Sequence, residues 1–476
     1  MGHGRRHLGG CRADVMSTRP ILTGPRTRDG GRRPFEGECY TRRLMAAERD
    51  PLFTPRFFVM CAFSFTVFLS AFQLLPTAPF RILDLGGSKF AAGMFLGFLT
   101  YASAFSAPLT GALADRVGKR RMLVACSLVI AGFSVAYALS RSYRLPLALA
   151  FAHGVFWSGL LSASAAYITD IIPESRRAEG IGYWGLSTIV AIAVAPSIGF
   201  WVYGHGWIWL CAATGTLNLV MAAIAFSLPE AHAPAWMGGE RFFTRRLLEW
   251  RVLAVSFTLF LYSFGYGGVT SFSALYAAAN GVVPRGIYFT TLALVVLATR
   301  PLCVPLADRV GHKKVFLPSL LLIATGLGLL VLGGTRPWLV ASAVVFGTGF
   351  GTAYPVFAAY VMRHVEPARR GAAFGGILAA FDTGIGSGSI ALGWIIQRRG
   401  FPAAFATAAA LAALSLPFFL IVERRLLRAP ARRAPEAQAG PEASAPGGHS
   451  QAAPRTPLES PWSGGTSRVS TRSENT

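Results

Sequence analysis

Charge is in short supply. Of 476 residues, only 14% are Asp, Glu, Lys or Arg, whereas a soluble domain carries roughly 25%. Lysine is scarcer still, confined to Lys89, Lys119, Lys313 and Lys314. The six cysteines (Cys11, Cys39, Cys61, Cys126, Cys211 and Cys303) include no Cys-x-x-Cys pair, which argues against a disulfide framework or a zinc site. There is no Gly-x4-Gly-Lys-Ser/Thr loop, no His-Glu-x-x-His and no Gly-x-Ser-x-Gly. Nucleotide-driven work, zinc hydrolysis and serine-hydrolase chemistry therefore lack a sequence basis. The chain reads as a non-enzyme with no cofactor and no metal.

What is abundant is apolar: 53% of the chain is hydrophobic, with 35 Phe. The net charge of +23 would suit a nucleic-acid partner only if it formed a basic face beside a modest core. Here basic residues punctuate long apolar runs instead, so the partner is a lipid bilayer and not a nucleic acid. Twelve such runs are legible, at about 56–80, 90–113, 122–140, 145–171, 180–203, 207–228, 252–278, 287–306, 315–334, 337–361, 371–396 and 402–422. Each approaches or exceeds the ~20 residues that a helix needs to cross hydrocarbon. Lipid cannot satisfy free peptide groups, so they must be helices. The expected fold class is an all-α integral membrane protein with twelve transmembrane helices in two pseudo-symmetric six-helix bundles.

The expected organisation is a disordered extension at 1–55, a first bundle at 56–228, a linker at 229–251, a second bundle at 252–422 and a disordered tail at 423–476. Met45, just ahead of the first run, offers an alternative start. If both termini are cytoplasmic, the inner loops carry 16 Lys and Arg and the outer loops 8. That is the bias the positive-inside rule requires, and it places a multi-pass chain in a cytoplasmic (inner) membrane.

A repeat divides the chain. Leu113-Ala114-Asp115-Arg116-Val117-Gly118 recurs unchanged as Leu306-Ala307-Asp308-Arg309-Val310-Gly311, 193 residues later. The same offset carries Arg176-Arg177 to Arg369-Arg370 and Gly182 to Gly375. A duplication with an even number of spans gives both halves the same topology, the parallel-repeat plan of many secondary transporters, with the substrate site between the halves.

The stretch from Gly111 through Asp115, Arg116, Gly118, Lys119, Arg120 and Arg121 to Leu123 resembles the loop between helices 2 and 3 of the major facilitator superfamily. Its copy around Asp308, Arg309 and Gly311 matches less fully. Gly118 permits a tight turn and Gly111 a close helix contact. Asp115 stands at a helix carboxyl end, where the dipole disfavours an anion. The resemblance implies that Asp115 meets the start of the eleventh segment, near Arg370 and Gly371, and locks the cytoplasmic side. The neighbouring cations serve either that gate or topology alone.

The fifth segment carries Gly182, Ala191, Ala195, Pro196 and Gly199, at the spacing of the antiporter motif of drug exporters, with three of its glycines replaced. Small residues there would let the fifth and eighth segments approach. Leu74-Leu75-Pro76-Thr77-Ala78-Pro79 resembles the end of helix 1 in twelve-helix drug/proton antiporters. The resemblance implies proton-coupled efflux of a small organic molecule by a monomer. An uptake symporter, a facilitator or a non-transporting ligand sensor on the same fold are the alternatives. One departure stands out: Ala150 occupies the position of the family's Arg in helix 4, with His153 beside it as a proton carrier or a packing residue.

Asp382 lies about 11 residues, roughly 16 Å, into the eleventh segment. A carboxylate at that depth costs ~2.5–3.5 kcal/mol or more and is usually functional. It either carries protons or bonds within its small-residue stretch. Arg300 is expected to pair with Asp382 or Asp170, or to snorkel to the interface. The resemblance assigns the cavity to segments 1, 4, 7 and 10. That makes Phe72, Gln73, Trp157, Tyr262, Tyr266, Phe272, Tyr354 and Phe357 its candidate lining, and its many rings favour an amphipathic substrate.

Overall fold

The computed structural model describes residues 51–230, 250–365 and 370–426. The expected extension, most of the linker and most of the tail lie outside them. The helices are α1 (Pro55–Leu74), α2 (Ala78–Asp84), α3 (Lys89–Val117), α4 (Lys119–Ala138), α5 (Arg144–Ile171), α6 (Arg177–Tyr203) and α7 (Trp207–Ser227) in the first half. The second half holds α8 (Trp250–Ala279), α9 (Ile287–Val310), α10 (His312–Leu332), α11 (Arg336–Met362) and α12 (Arg370–Leu426). Local chemistry sets the starts. The Thr54 hydroxyl accepts from the Phe57 N–H at the head of α1, and the Ser88 hydroxyl from Ala91 at the head of α3, each satisfying an orphan donor.

Among the described residues ten helical stretches are long and apolar enough to cross a bilayer, α1 and α2 counting as one and Ile287–Cys303 of α9 being a shorter apolar run. α12 turns back at Gly400 (φ 82°), so its limbs, 370–399 and 401–426, are two crossings. With α9 the total is twelve. The first expected segment, 56–80, is not one helix. It breaks between α1 and α2, where Pro76 has no N–H to offer the ladder and the Thr77 hydroxyl donates to the Gln73 carbonyl.

The duplication is visible in the backbone. Gly118 (φ 102°, ψ 135°) ends α3 and opens α4, and Gly311 (φ 101°, ψ 134°) does the same between α9 and α10. A side chain is strained at such a φ, which fixes glycine at both turns. Pairings repeat as well. α3 packs on α5 and α4 on α7; correspondingly α9 packs on α11 and α10 on α12. These are the two six-helix bundles, each with an apolar core.

The bundles meet at the end opposite the Gly118 and Gly311 turns. There α3 lies against α12, with the Ser389 hydroxyl donating to the Gly93 carbonyl at 2.7 Å and the Tyr101 hydroxyl 2.6 Å from that of Ser387. α6 meets α9 through Ser197 and Thr290, 2.8 Å apart. A Cβ on Gly93 would strike the Ser389 backbone, and one on Gly97 the Ile390 side chain.

Toward the turns the bundles part. The α3 stripe that touches α12 at Tyr101 continues one and two turns on as Phe105 and Leu109, 76% and 60% exposed. A Cβ on Gly111, Gly182, Gly375 or Gly376 would touch nothing. The close contact expected at Gly111 is thus absent, because the facing bundle is withdrawn at that end. These two classes of glycine separate stability from motion. Gly388→Val, whose Cβ would enter the Phe264 backbone, is expected to destabilise by about 1–3 kcal/mol. Gly376→Val is expected to leave thermal melting of the purified protein unchanged.

Candidate functional site

The parted ends leave a crevice whose floor is the Tyr101–Ser387 contact. Five residues before Ser387, about 7.5 Å along the helix, α12 presents Asp382. It is partly exposed and has no hydrogen-bond or ion-pair partner among the described residues. Around it the second bundle builds a wall of rings. Tyr354 of α11 lies 5.1 Å from Phe381, Phe350 6.1 Å from Phe381, and Tyr266 of α8 stacks on Phe350 at 4.3 Å. The Ser263 hydroxyl pins α8 to α12 by donating to the Phe381 carbonyl at 2.9 Å. Close packing needs the absence of side chains there: a Cβ on Gly384 would collide with Phe260 and Ser263.

Arg300 reaches the same wall from α9. Its Nε donates to the Gly351 carbonyl at 3.3 Å, one turn from Tyr354. Neither expected pairing forms. Asp170 lies at the turn end, bound to Lys119, and Asp382 is not within ion-pair distance. Arg300 is therefore held by α11 within its own bundle.

Other candidates fall elsewhere. His153 is buried inside the first bundle, its Nδ1 3.2 Å from the Tyr137 hydroxyl and its ring stacked on Phe133. It borders, with Ser70, Trp157 and Asn218, a gap of about 10 Å³, room for one water at most. Phe72 and Gln73 are buried, and so is Tyr262, whose hydroxyl lacks a partner among the described residues. Phe357 is core, packed on Phe316 and Phe419. Phe272 fills the junction below Gly93. Of the expected lining, Trp157, Tyr266 and Tyr354 are partly exposed.

In α6, Ala191 and Ala195 are buried, and Pro196 and Ser197 lie against Gly286 at the head of α9. Gly199 serves a different contact: its Cβ would stand 2.9 Å from the Gln73 backbone, so it seats α6 on α1.

At the turns, Asp115 is exposed and makes no ion pair among the described residues; the side chain of Arg370 lies outside them. The cations beside it are engaged. Arg120 donates to the Phe226 carbonyl at 2.7 Å and, with Arg121, lies 3.9 Å from Glu230. In the second half Lys313 pairs with fully buried Glu423 at 2.8 Å, and Tyr360 donates to the same carboxylate. Asp308 is shared by Arg363 (3.3 Å) and His312 (3.5 Å); Arg309 beside it is exposed, as is Arg116 beside Asp115.

Glu230, Glu423, Tyr167 and Tyr360 were missed in the sequence, yet the 193-residue offset already links them. It carries Arg120 to Lys313, Tyr167 to Tyr360 and Glu230 to Glu423.

Two repeated bundles, paired turns and a crevice between the halves are the frame of one family, and its model matches residues 57–282 and 277–470. The chain belongs to the Major Facilitator Superfamily. Its curated relatives include an uncharacterized MFS-type transporter of Burkholderia mallei, 26% identical over 377 residues (77% of this chain, 92% of the relative). Another is YhhS of Escherichia coli, an uncharacterized MFS-type transporter, 25% identical over 385 residues (79% and 93%). Among solved structures, a bacterial homolog of the human lysosomal transporter Spinster, inward-facing and unoccupied, matches with TM-score 0.65 at 16% identity, covering 80% of this chain and all of that one. The nucleoside transporter NupG matches with TM-score 0.62 at 16% identity (78% and 98%). These last two likenesses concern the fold. Membership makes this chain a multi-pass membrane transporter of small molecules.

Proposed function

We propose that this transporter is a proton-coupled exporter of a small amphipathic organic molecule, working by alternating access in the inner membrane with both termini cytoplasmic. The observation that carries the reading is the asymmetry of the inter-bundle contact. One end is sealed by α3–α12 and α6–α9 contacts, the turn end is parted, and Asp382, a carboxylate without a partner among the described residues, stands between them. A group that takes a proton from one side and releases it to the other must have that placement. With the turns cytoplasmic, this form is open to the inside. Closing it would bring the bare glycines of α3, α6 and α12 toward the opposite bundle, and Asp115 is the proposed latch.

The driving force is sufficient. One proton crossing ~100 mV releases about 2.3 kcal/mol and one pH unit adds about 1.4 kcal/mol. Together they sustain a gradient of roughly 500-fold.

Inside-out vesicles carrying the protein are expected to accumulate substrate when their interior is acidified and to stop when the gradient is collapsed. Accumulation only in right-side-out vesicles would establish uptake instead. Stoichiometric binding without flux would establish a sensor. For the latch, Asp115→Ala is expected to raise cysteine labelling of crevice positions from the turn side by several-fold, and unaltered labelling would remove Asp115 from the gate.

A further inference from the structure

The crevice wall carries one basic and one acidic side chain, Arg300 and Asp382, and neither has an ion-pair partner among the described residues. Arg300 has one hydrogen bond, from Nε, and no ion pair among the described residues. The side chain is partly exposed, and its terminal nitrogens are not sealed inside the protein. Asp382 has neither a hydrogen bond nor an ion pair among the described residues. Tyr354 lies within electrostatic reach of both groups and Tyr266 within reach of Arg300, while the Tyr262 hydroxyl, near Phe381, has no partner among the described residues. The rings of Tyr266, Phe350, Tyr354 and Phe381 pack on one another beside these two groups, and each is partly exposed.

A lone charge at this depth is costly unless something of opposite sign meets it. A purely cationic solute would satisfy Asp382 and face Arg300 unscreened. A purely anionic one would do the reverse. We infer that the transported molecule is amphoteric, with a flat aromatic body against the ring wall, an anionic group on the Arg300 guanidinium and a cationic group on Asp382. Guanidinium is suited to the anionic end because its planar fork matches a carboxylate or phosphonate. The ring faces suit both an aromatic body and its cation.

This inference rests on the transport reading and adds a reason for exchange. A proton on Asp382 removes the partner of the substrate's cationic end, so proton and substrate exclude each other at one carboxylate.

The test is binding to the purified full-length protein, read by tryptophan fluorescence at neutral pH. The probes are para-aminomethylbenzoic acid and its biphenyl homologue, each alongside its methyl ester and its N-acetyl derivative. At least one zwitterion is expected to bind about tenfold tighter than both of its blocked forms, a difference of about 1.4 kcal/mol. Arg300→Gln should erase the preference over the ester and spare that over the N-acetyl form. Asp382→Asn should do the opposite, and Arg300→Lys should retain the first preference, which separates recognition from misfolding.

Zwitterions that bind no tighter than their blocked forms, or fail to bind, overturn the inference, as does loss of both preferences together in each variant. If that happens while proton-driven flux of another solute persists, the transport reading stands without it. Charge-selective binding in a protein that moves nothing would sink the transport reading instead.

Discussion

Asp382→Asn is expected to reduce pH-driven substrate movement in vesicles to background while substrate-for-substrate exchange at saturating concentration persists. The amide is close to the carboxyl in shape but holds one charge state at every pH. It behaves as the protonated form does and cannot load a proton on one face and release it on the other. The pH dependence of exchange should flatten accordingly, whereas the wild type should change rate as protons and substrate compete. Nothing in the described structure ties Asp382 into a network whose loss would unfold the helix, so the variant should melt like the parent. Proton-driven flux that survives the substitution would take the coupling role away from Asp382.

The second large effect concerns stability. Glu423→Ala is expected to cost about 3 kcal/mol, read as loss of the folded fraction in a detergent denaturation series. Glu423 is fully buried and holds Lys313 and Tyr360. Removing one partner of a buried pair typically costs about 3–5 kcal/mol because the other is left uncompensated. Lys313 retains 23% of its side-chain surface, which places the cost near the lower bound. The duplicate supplies the control. Glu230 is 37% exposed and 3.9 Å from its arginines, so Glu230→Ala should cost under about 1 kcal/mol. Equal losses at the two positions would show that the pair at Lys313 is not a buried anchor.

Much of the fold was legible before any coordinates. The twelve crossings follow from hydrocarbon thickness, and the repeat of Leu113–Gly118 at Leu306–Gly311 announced two bundles that the matching backbone at Gly118 and Gly311 displays. The site was less legible. Asp382 was conspicuous because a carboxylate in an apolar run is costly wherever the run faces. The partners of Arg300 could not be read, since the nearest acids by segment order, Asp382 and Asp170, are not the atoms it reaches. The cavity candidates show the same gap: Tyr354 and Phe357 are three residues apart on α11, yet one faces the crevice and the other is core.

By itself, the amino-acid order determined that the chain crosses lipid as helices, that it was duplicated, and where its rare charges interrupt the apolar runs. Those are one-dimensional facts: hydrophobic length, self-similarity and the cost of an ion in hydrocarbon do not depend on which helix is the neighbour. The tertiary structure alone decided which glycines are pressed against another helix and which stand bare, and which end of the bundle pair is sealed. It alone placed Arg300 and Asp382 on one wall. A helix can rotate about its axis and meet different partners without any change in its sequence pattern, and a protein that must open at either end keeps both sets of contacts available to the same residues.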